Sequence, residues 1–301
     1  MKRLFVLLLI LCLLLCGCST PQVSQQDDTL HILATTYPIY LFTKTLTDGI
    51  DNVEVTQLID ETVSCLHDYT LTVPDMKAIE KADIIILNGA ELEVFMDDAL
   101  AQTDAAIIDC SESIDLLPTA GHEHHHHDED EHHHGHYDPH YWLSEYAGQI
   151  MLNNIFRGLS ELDKTHPDIY RTNYSAAIEL FLKDSLELSS LSCPYLITFH
   201  DGFQYFARNN GLTLLKSIEE EEGSTASAAD IKEIVALIRE YNIPAIFTEK
   251  NGSSSTAETI ARETGVQIYA LDMLMSGGGQ DISAYFEGLH ENYAIIQEAL
   301  S

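Results

Sequence analysis

The 301-residue chain carries 15 basic and 48 acidic side chains, a formal charge of −33. Such a surface repels nucleic acid and anionic headgroups while concentrating cations, so a DNA or RNA partner is excluded. An apolar fraction of 45% is enough for two lobes of ordinary domain size, each with its own core.

The first residues are a targeting segment. Lys2 and Arg3 precede an apolar run over residues 4–15 that is too short to span a bilayer comfortably and ends in Leu15-Cys16-Gly17-Cys18-Ser19. This resembles a bacterial lipoprotein signal. Leu15 and Gly17 select Cys18 as the acylated residue, leaving 1–17 as signal peptide and 18–29 as a lipidated cysteine with a polar tether. Two or more acyl chains on Cys18 would hold the protein on the outer side of a bacterial cytoplasmic membrane; a plain secreted protein is the alternative. Cys12 and Cys16 leave with the signal. Cys65, Cys110 and Cys193 remain, an odd number that is no disulfide framework, and one bridge or three thiols are both open.

From Leu30 short β-branched runs alternate with longer amphipathic ones, the pattern of βαβ units and mainly parallel sheets. Strands are predicted over 30–35, 53–59, 82–87 and 105–109, with helices over 38–47, from Pro74 onward, and over 92–102. A long loop follows, then a helix over 144–163. A second long helical stretch begins at Pro167 and is expected to reach Ser190. The alternation then resumes, with strands over 195–199, 212–217, 245–248 and 266–270, helices over 203–209, 229–241 and 256–264, and a last helix over 282–299. The fold class is α/β: two Rossmann-like lobes with mainly parallel sheets joined by a single long helix. The boundaries are 30–165 for the N-terminal lobe, 166–192 for the linking helix and 193–301 for the C-terminal lobe. One such connector permits less hinge bending than several strands of loop would.

The loop over 121–136 holds nine of the fifteen histidines, His122, His124, His125, His126, His127, His132, His133, His134 and His136, interleaved with Asp and Glu. Nothing in that run can pack a core, so it reads as a solvated loop that binds divalent metals weakly and at several sites. The run His122-Glu123-His124-His125-His126 matches a zinc-protease pattern by composition alone, because no apolar helical face accompanies it. Terminal tags are not studded with acid, and a plain acidic linker is the bland alternative. Directly afterwards, Asp138-Pro139-His140-Tyr141-Trp142 sets one histidine beside a rigid proline and the single Trp of the chain, the signature of an ordered position.

Four residues share a place in this scheme. His67 and His140 lie in loops after predicted strands of the first lobe, and His200 and Asp272 directly follow strands of the second. All are at carboxyl ends of parallel strands, where open α/β sheets bind ligands. Three imidazoles and one carboxylate closing an interlobe cleft would make a complete tetrahedral site with no open position for water. That donor set suits Zn²⁺ far better than Mn²⁺. Because imidazole must be neutral to ligate, affinity is expected to fall below about pH 6.5. Glu249 and Asp201 are candidate acceptors for the second nitrogen of a ligating ring. His31, His166 and His290 are read as structural or exposed.

These residues carry a family resemblance. Cys65-Leu66-His67-Asp68-Tyr69, Asn88-Gly89-Ala90-Glu91-Leu92-Glu93, Asp138-Pro139-His140-Tyr141-Trp142-Leu143, Phe199-His200-Asp201-Gly202-Phe203, Phe247-Thr248-Glu249 and Leu271-Asp272 occur in the order found in cluster A-I solute-binding proteins of metal ABC transporters. The histidine-rich insertion resembles that of the zinc-specific, ZnuA-like branch. The resemblance implies that His67, His140, His200 and Asp272 bind Zn²⁺ as cargo, that the linking helix restricts domain motion, and that an ABC permease and its ATPase are the partners. A monomer that is not an enzyme is expected. Two departures stand out: Leu66 replaces a Glu that can coordinate in some zinc members, and Met273 replaces the more usual Pro after Asp272. The rival readings are a manganese-binding member of the family, a zinc-dependent hydrolase, which would need an open coordination position and a general base, and an adhesin lipoprotein.

Overall fold

The computed structural model describes residues 28–60, 69–119, 135–183, 186–218, 226–252 and 254–301. The predicted signal peptide, Cys18, Cys65, His67 and most of the histidine-rich loop lie outside these residues.

Two four-stranded sheets form, and every pairing in them is parallel. The first contains β1 (Leu30–Ala34), β2 (Val53–Gln57), β3 (Ile84–Leu87) and β4 (Ala106–Asp109) in the order β2-β1-β3-β4. The second contains β5 (Tyr195–Thr198), β6 (Thr213–Ser217), β7 (Ala245–Glu249) and β8 (Gln267–Leu271) in the order β6-β5-β7-β8. The two orders are the same, second-first-third-fourth, so each lobe has its topological switch point beside its first strand. Central strands are apolar on both faces, as helix-covered parallel strands must be: Ile84, Ile85 and Ile86 of β3 and all five residues of β7 are buried. The edge strand β2 alternates instead.

Helices α1 (Tyr37–Leu46), α2 (Val73–Lys81), α3 (Asp97–Leu100), α4 (Glu145–Leu162) and α5 (Pro167–Lys183) come before the second sheet. Helices α6 (Gln204–Asn209), α7 (Ala228–Tyr241), α8 (Ser255–Thr264) and α9 (Ile282–Leu300) follow. Their ends are set locally. Thr72 with Asp75, and Ser227 with Asp230, form reciprocal capping boxes, and α7 stops at Asn242 in the left-handed conformation.

All eight predicted strands are present, and two helices are shorter than the periodicity suggested. Only a 3-10 turn (Val94–Met96) and the four residues of α3 form over 92–102. Gly89, Ala90 and Glu91 all take positive φ, and the Glu93 carboxylate turns back to accept from the N–H groups of Asn88 and Gly89 at 2.7 and 3.0 Å. The long connecting helix is described over Pro167–Lys183, and from Leu186 onward the chain bonds elsewhere. Leu186 N–H donates to Glu145 (3.3 Å), Ser189 N–H to Gln297 (2.9 Å) and Ser192 N–H to the Leu300 carbonyl (2.7 Å).

A second joint between the sheets was not legible in the sequence. Helix α9, which follows the second sheet, packs on α1 of the first. Phe42 of α1, Phe181 of α5 and Tyr285 and Phe286 of α9 form an aromatic cluster, with centroid distances of 4.9 Å for Phe42 to Tyr285 and 4.7 Å for Phe181 to Phe286. Gly279 N–H donates to Tyr37 Oη and Ile282 N–H to Thr45 Oγ1, both at 2.8 Å, latching the approach to α9 onto α1. Edge-on aromatic pairs of this kind add roughly 0.5–1.5 kcal/mol each beyond burial, so the lobes are held by packing as well as by the chain. Among the described residues no helix is long and apolar enough to cross a membrane.

Candidate metal centre

His140 enters its position from the loop after β4, and His200 follows β5 after one residue, Phe199. The structure brings them together from the two lobes, with Nε2 of His140 3.4 Å from Nε2 of His200 and the rings edge-on at 82°. Two imidazoles bound to one zinc at about 2.0–2.1 Å in tetrahedral geometry have their nitrogens about 3.3 Å apart, so the observed spacing is that of one edge of the tetrahedron.

His140 is held on every side. Its Nδ1 lies 2.7 Å from Asp138 Oδ1, which also accepts the His140 backbone N–H at 2.9 Å. That contact places the proton on Nδ1 and directs the Nε2 lone pair toward His200. Trp142 lies against the ring with centroids 5.1 Å apart, and its indole N–H donates to the Met273 carbonyl at 2.8 Å. Gly202 covers another face. A Cβ there would sit 2.4 Å from Met273 Cε and 3.0 Å from His140 Cγ, so the close approach requires glycine. His140 is 2% exposed, and burial pushes its pKa down to about 3. It is therefore neutral throughout the physiological range, the state a metal ligand needs, and is spared the proton competition expected below pH 6.5.

The loop carrying His140 is fixed to the first sheet through Asn88. Its side-chain amide donates to the Pro139 carbonyl at 3.1 Å and its own carbonyl accepts from Tyr141 Oη at 2.5 Å. Asn88 is positioned by Glu93, a buried carboxyl that also accepts from Thr35 Oγ1 at 2.6 Å, and burial raises Glu93 to about 7.

Asp272, after β8, is not brought into this pair. Its Oδ1 caps the Leu274 N–H at 2.8 Å and its Oδ2 faces the Lys250 ammonium at 3.3 Å. The backbone at Asp272 is nonetheless clamped: Asn292 of α9 accepts its N–H at 2.8 Å and donates to its carbonyl at 2.7 Å. Asn292 thus does the fixing that a following proline would otherwise do, which offsets the Met273 departure. Among the described residues no group of three His, Cys, Asp or Glu side chains is close enough to hold a metal. The third expected imidazole, His67, lies outside the described residues.

Asp201 and Glu249, the two candidate outer acceptors, both lie buried in the second lobe. Asp201 Oδ1 approaches His200 Nε2, the nitrogen turned to His140, at 3.5 Å. Glu249 is buried at the end of β7, in register with Leu271. The backing carboxylate that the sequence reading missed is Asp138. Its signal was available: an Asp two residues before a His with a rigid proline between them folds back on the following backbone N–H and ring. Of the loop histidines only His136 is described, and it is exposed. Its backbone N–H donates to the Glu91 carboxylate, and its Nδ1 is 3.2 Å from Glu91 Oε1. Beside it the two ends of the loop pair, Thr119 N–H donating to the His136 carbonyl at 3.2 Å and Asp138 N–H to the Leu117 carbonyl at 2.8 Å. His31 pairs with Glu54 at 2.9 Å and His166 with Asp163 at 2.7 Å, the structural roles expected of them. Cys110 and Cys193 are buried free thiols.

The chain is similar to known proteins over most of its length. The chain is 31% identical over 299 residues to the high-affinity zinc uptake system protein ZnuA of Bacillus subtilis (strain 168), an alignment covering 95% of this chain and 92% of the relative. It is 29% identical over 309 residues to the zinc-binding lipoprotein AdcA of Streptococcus pneumoniae (strain R6), covering 99% of this chain but only 59% of AdcA. A crystal structure of ZnuA superposes with a TM-score of 0.75 at 26% identity, covering 91% of this chain and 100% of that one. Since the family model for ZnuA, the periplasmic component A of the zinc-uptake complex, matches residues 32–299, the chain belongs to the ZnuA family.

Proposed function

We propose that the protein captures Zn²⁺ between its two lobes and hands it to an ABC permease driven by an ATPase, with no chemical step of its own. The observation that carries this reading is the His140–His200 pair: two buried imidazole nitrogens from opposite lobes, 3.4 Å apart, at carboxyl ends of parallel strands. His67 and Asp272 complete the coordination in this reading, the Asp272 carboxylate turning from Lys250 to the metal. Nitrogen donors favour zinc over manganese. The names borne by the ZnuA and AdcA relatives support the cargo, and the AdcA relative supports lipidation at Cys18 with an extracytoplasmic, membrane-anchored location. In this reading the histidine-rich loop raises the local zinc concentration, and the protein works as a monomer.

The test is calorimetric titration with Zn²⁺ and Mn²⁺ of the mature chain lacking residues 121–134, which keeps the paired loop ends, beside the same chain carrying His200→Ala. One tight zinc site that the substitution weakens strongly, with manganese much weaker, is expected. No tight site in the loop-deleted chain, or one indifferent to His200→Ala, would overturn the reading.

A further inference from the structure

Asp138 has two carboxylate oxygens that serve two lobes. Oδ1 holds the ring and the backbone of His140, whereas Oδ2 accepts from Gln204 Nε2 at 3.1 Å. Its carbonyl accepts from Tyr205 Oη at 2.7 Å, and the same hydroxyl accepts the Leu117 N–H at 2.9 Å. Gln204 and Tyr205 open α6, which continues from the turn that begins at His200. Further along α6, beyond Phe206 and Ala207, Arg208 reaches back across the same seam to the side chain and carbonyl of Asp115 at 3.0 and 3.2 Å. The stretch 200–209 therefore carries one histidine of the pair and grips the residue that orients the other. Asp138 is 1% exposed, so neither of these bonds competes strongly with water.

We propose that Asp138 is a positioning residue that couples the orientation of His140 to the seating of the opposite lobe, a role that rests on the zinc-site reading above. With the lobes together, Gln204 fixes the carboxylate plane and the carboxylate fixes the ring, so both nitrogens are set before metal arrives. A lobe motion that carries α6 away removes the Gln204 bond, loosens the carboxylate and with it the ring, and so lowers affinity as the cleft opens. Capture and release are thereby tied to one hydrogen-bonded chain, Gln204 to Asp138 to His140.

The experiment is a double-mutant cycle on the mature chain, with zinc affinity read by competition against a chelating dye and ligand geometry by the visible spectrum of the Co²⁺ form. Outer carboxylates on ligating histidines typically contribute 10–100-fold in metal affinity. Asp138→Ala is expected to weaken zinc by about that factor and to alter the cobalt spectrum. Asp138→Asn, which keeps an acceptor for the ring N–H but loses the charge, should recover part of the loss. Gln204→Ala should weaken zinc several-fold in the wild-type background and have no further effect beside Asp138→Ala, the non-additivity of a shared path. If Asp138→Ala does not fold, Asp138→Asn and Gln204→Ala carry the test. Affinities within twofold of wild type for Asp138→Asn and Gln204→Ala, or additive effects in the cycle, overturn the proposal. His140→Ala and His200→Ala run alongside: if they too leave zinc affinity unchanged, it is the zinc-site reading that fails, and the coupling falls with it.

Discussion

Glu93 is the residue whose substitution tests the scaffold most directly. It is 4% exposed, and its carboxyl receives three donors, the Thr35 hydroxyl and the N–H groups of Asn88 and Gly89. Burial outweighs these donors and raises its pKa from 4.5 to about 7. A folded-state pKa above the unfolded one means that the native state holds the extra proton between those values. The stabilisation is complete below pH 4.5 and is lost as pH rises through 7. At about 1.4 kcal/mol per tenfold change, the loss between pH 5 and pH 8 is about 2–3 kcal/mol. Glu93→Gln removes the titration but keeps an acceptor for Thr35 and Asn88, while its amide NH₂ opposes the Gly89 N–H and costs about 1–3 kcal/mol. Urea unfolding of zinc-free protein at both pH values is therefore expected to show the variant less stable than wild type at pH 5, with the gap closing or reversing at pH 8. Parallel pH dependence in the two proteins would refute the argument that Glu93 is ionised against a desolvation penalty.

Gly202→Ala places a methyl against Met273 Cε and the His140 ring, so zinc affinity is expected to fall at least tenfold, and Met273→Ala in the same chain should restore only part of it because the ring contact remains; dye competition measures both. Asn292→Ala removes both bonds that hold the Asp272 backbone and is expected to cost about 1–3 kcal/mol in urea unfolding. A simultaneous loss of zinc affinity would show that Asp272 needs that clamp to ligate. For His140 the sign runs opposite to Glu93. Its folded pKa of about 3 lies below the unfolded 6.5, so the unfolded chain takes up the proton in that window and stability falls as pH drops. Wild type is expected to lose about 2 kcal/mol between pH 7 and pH 5 that His140→Ala does not lose, measured by urea unfolding of the zinc-free proteins.

Short β-branched runs alternating with amphipathic segments were enough to locate all eight strands, because in parallel sheets the burial that defines a strand comes from helices adjacent in sequence, as for Ile84–Ile86 under the neighbouring amphipathic segments. The same logic placed His200 at a strand end, since a polar residue just after a buried apolar run has few places to go except the carboxyl edge of the sheet, whereas His140 was marked by the Asp-Pro-His-Tyr-Trp run in the long loop after β4. What the sequence could not convey is of two kinds, contacts between segments far apart in the chain and side chains captured by irregular backbone nearby. Nothing in the spacing of Tyr37, Phe42 and Tyr285 announces that α9 lies on α1, and helical periodicity over 92–102 cannot register a glutamate drawn into the core by the backbone donors at Asn88 and Gly89. Asp138 falls between these cases. Its bond to His140 is local and was readable from the Asp-Pro-His run, but its bond to Gln204 is not. The part of the centre that makes a good ligand is thus encoded locally, in a burial-neutralised ring backed by its own near neighbour. The part that makes a carrier, which must also let go, is encoded in long-range contacts. A substitution on the α6 side of the seam, such as Gln204→Ala, should therefore change how fast zinc leaves more than how the ring is protonated, whereas changes at Asp138 should affect both.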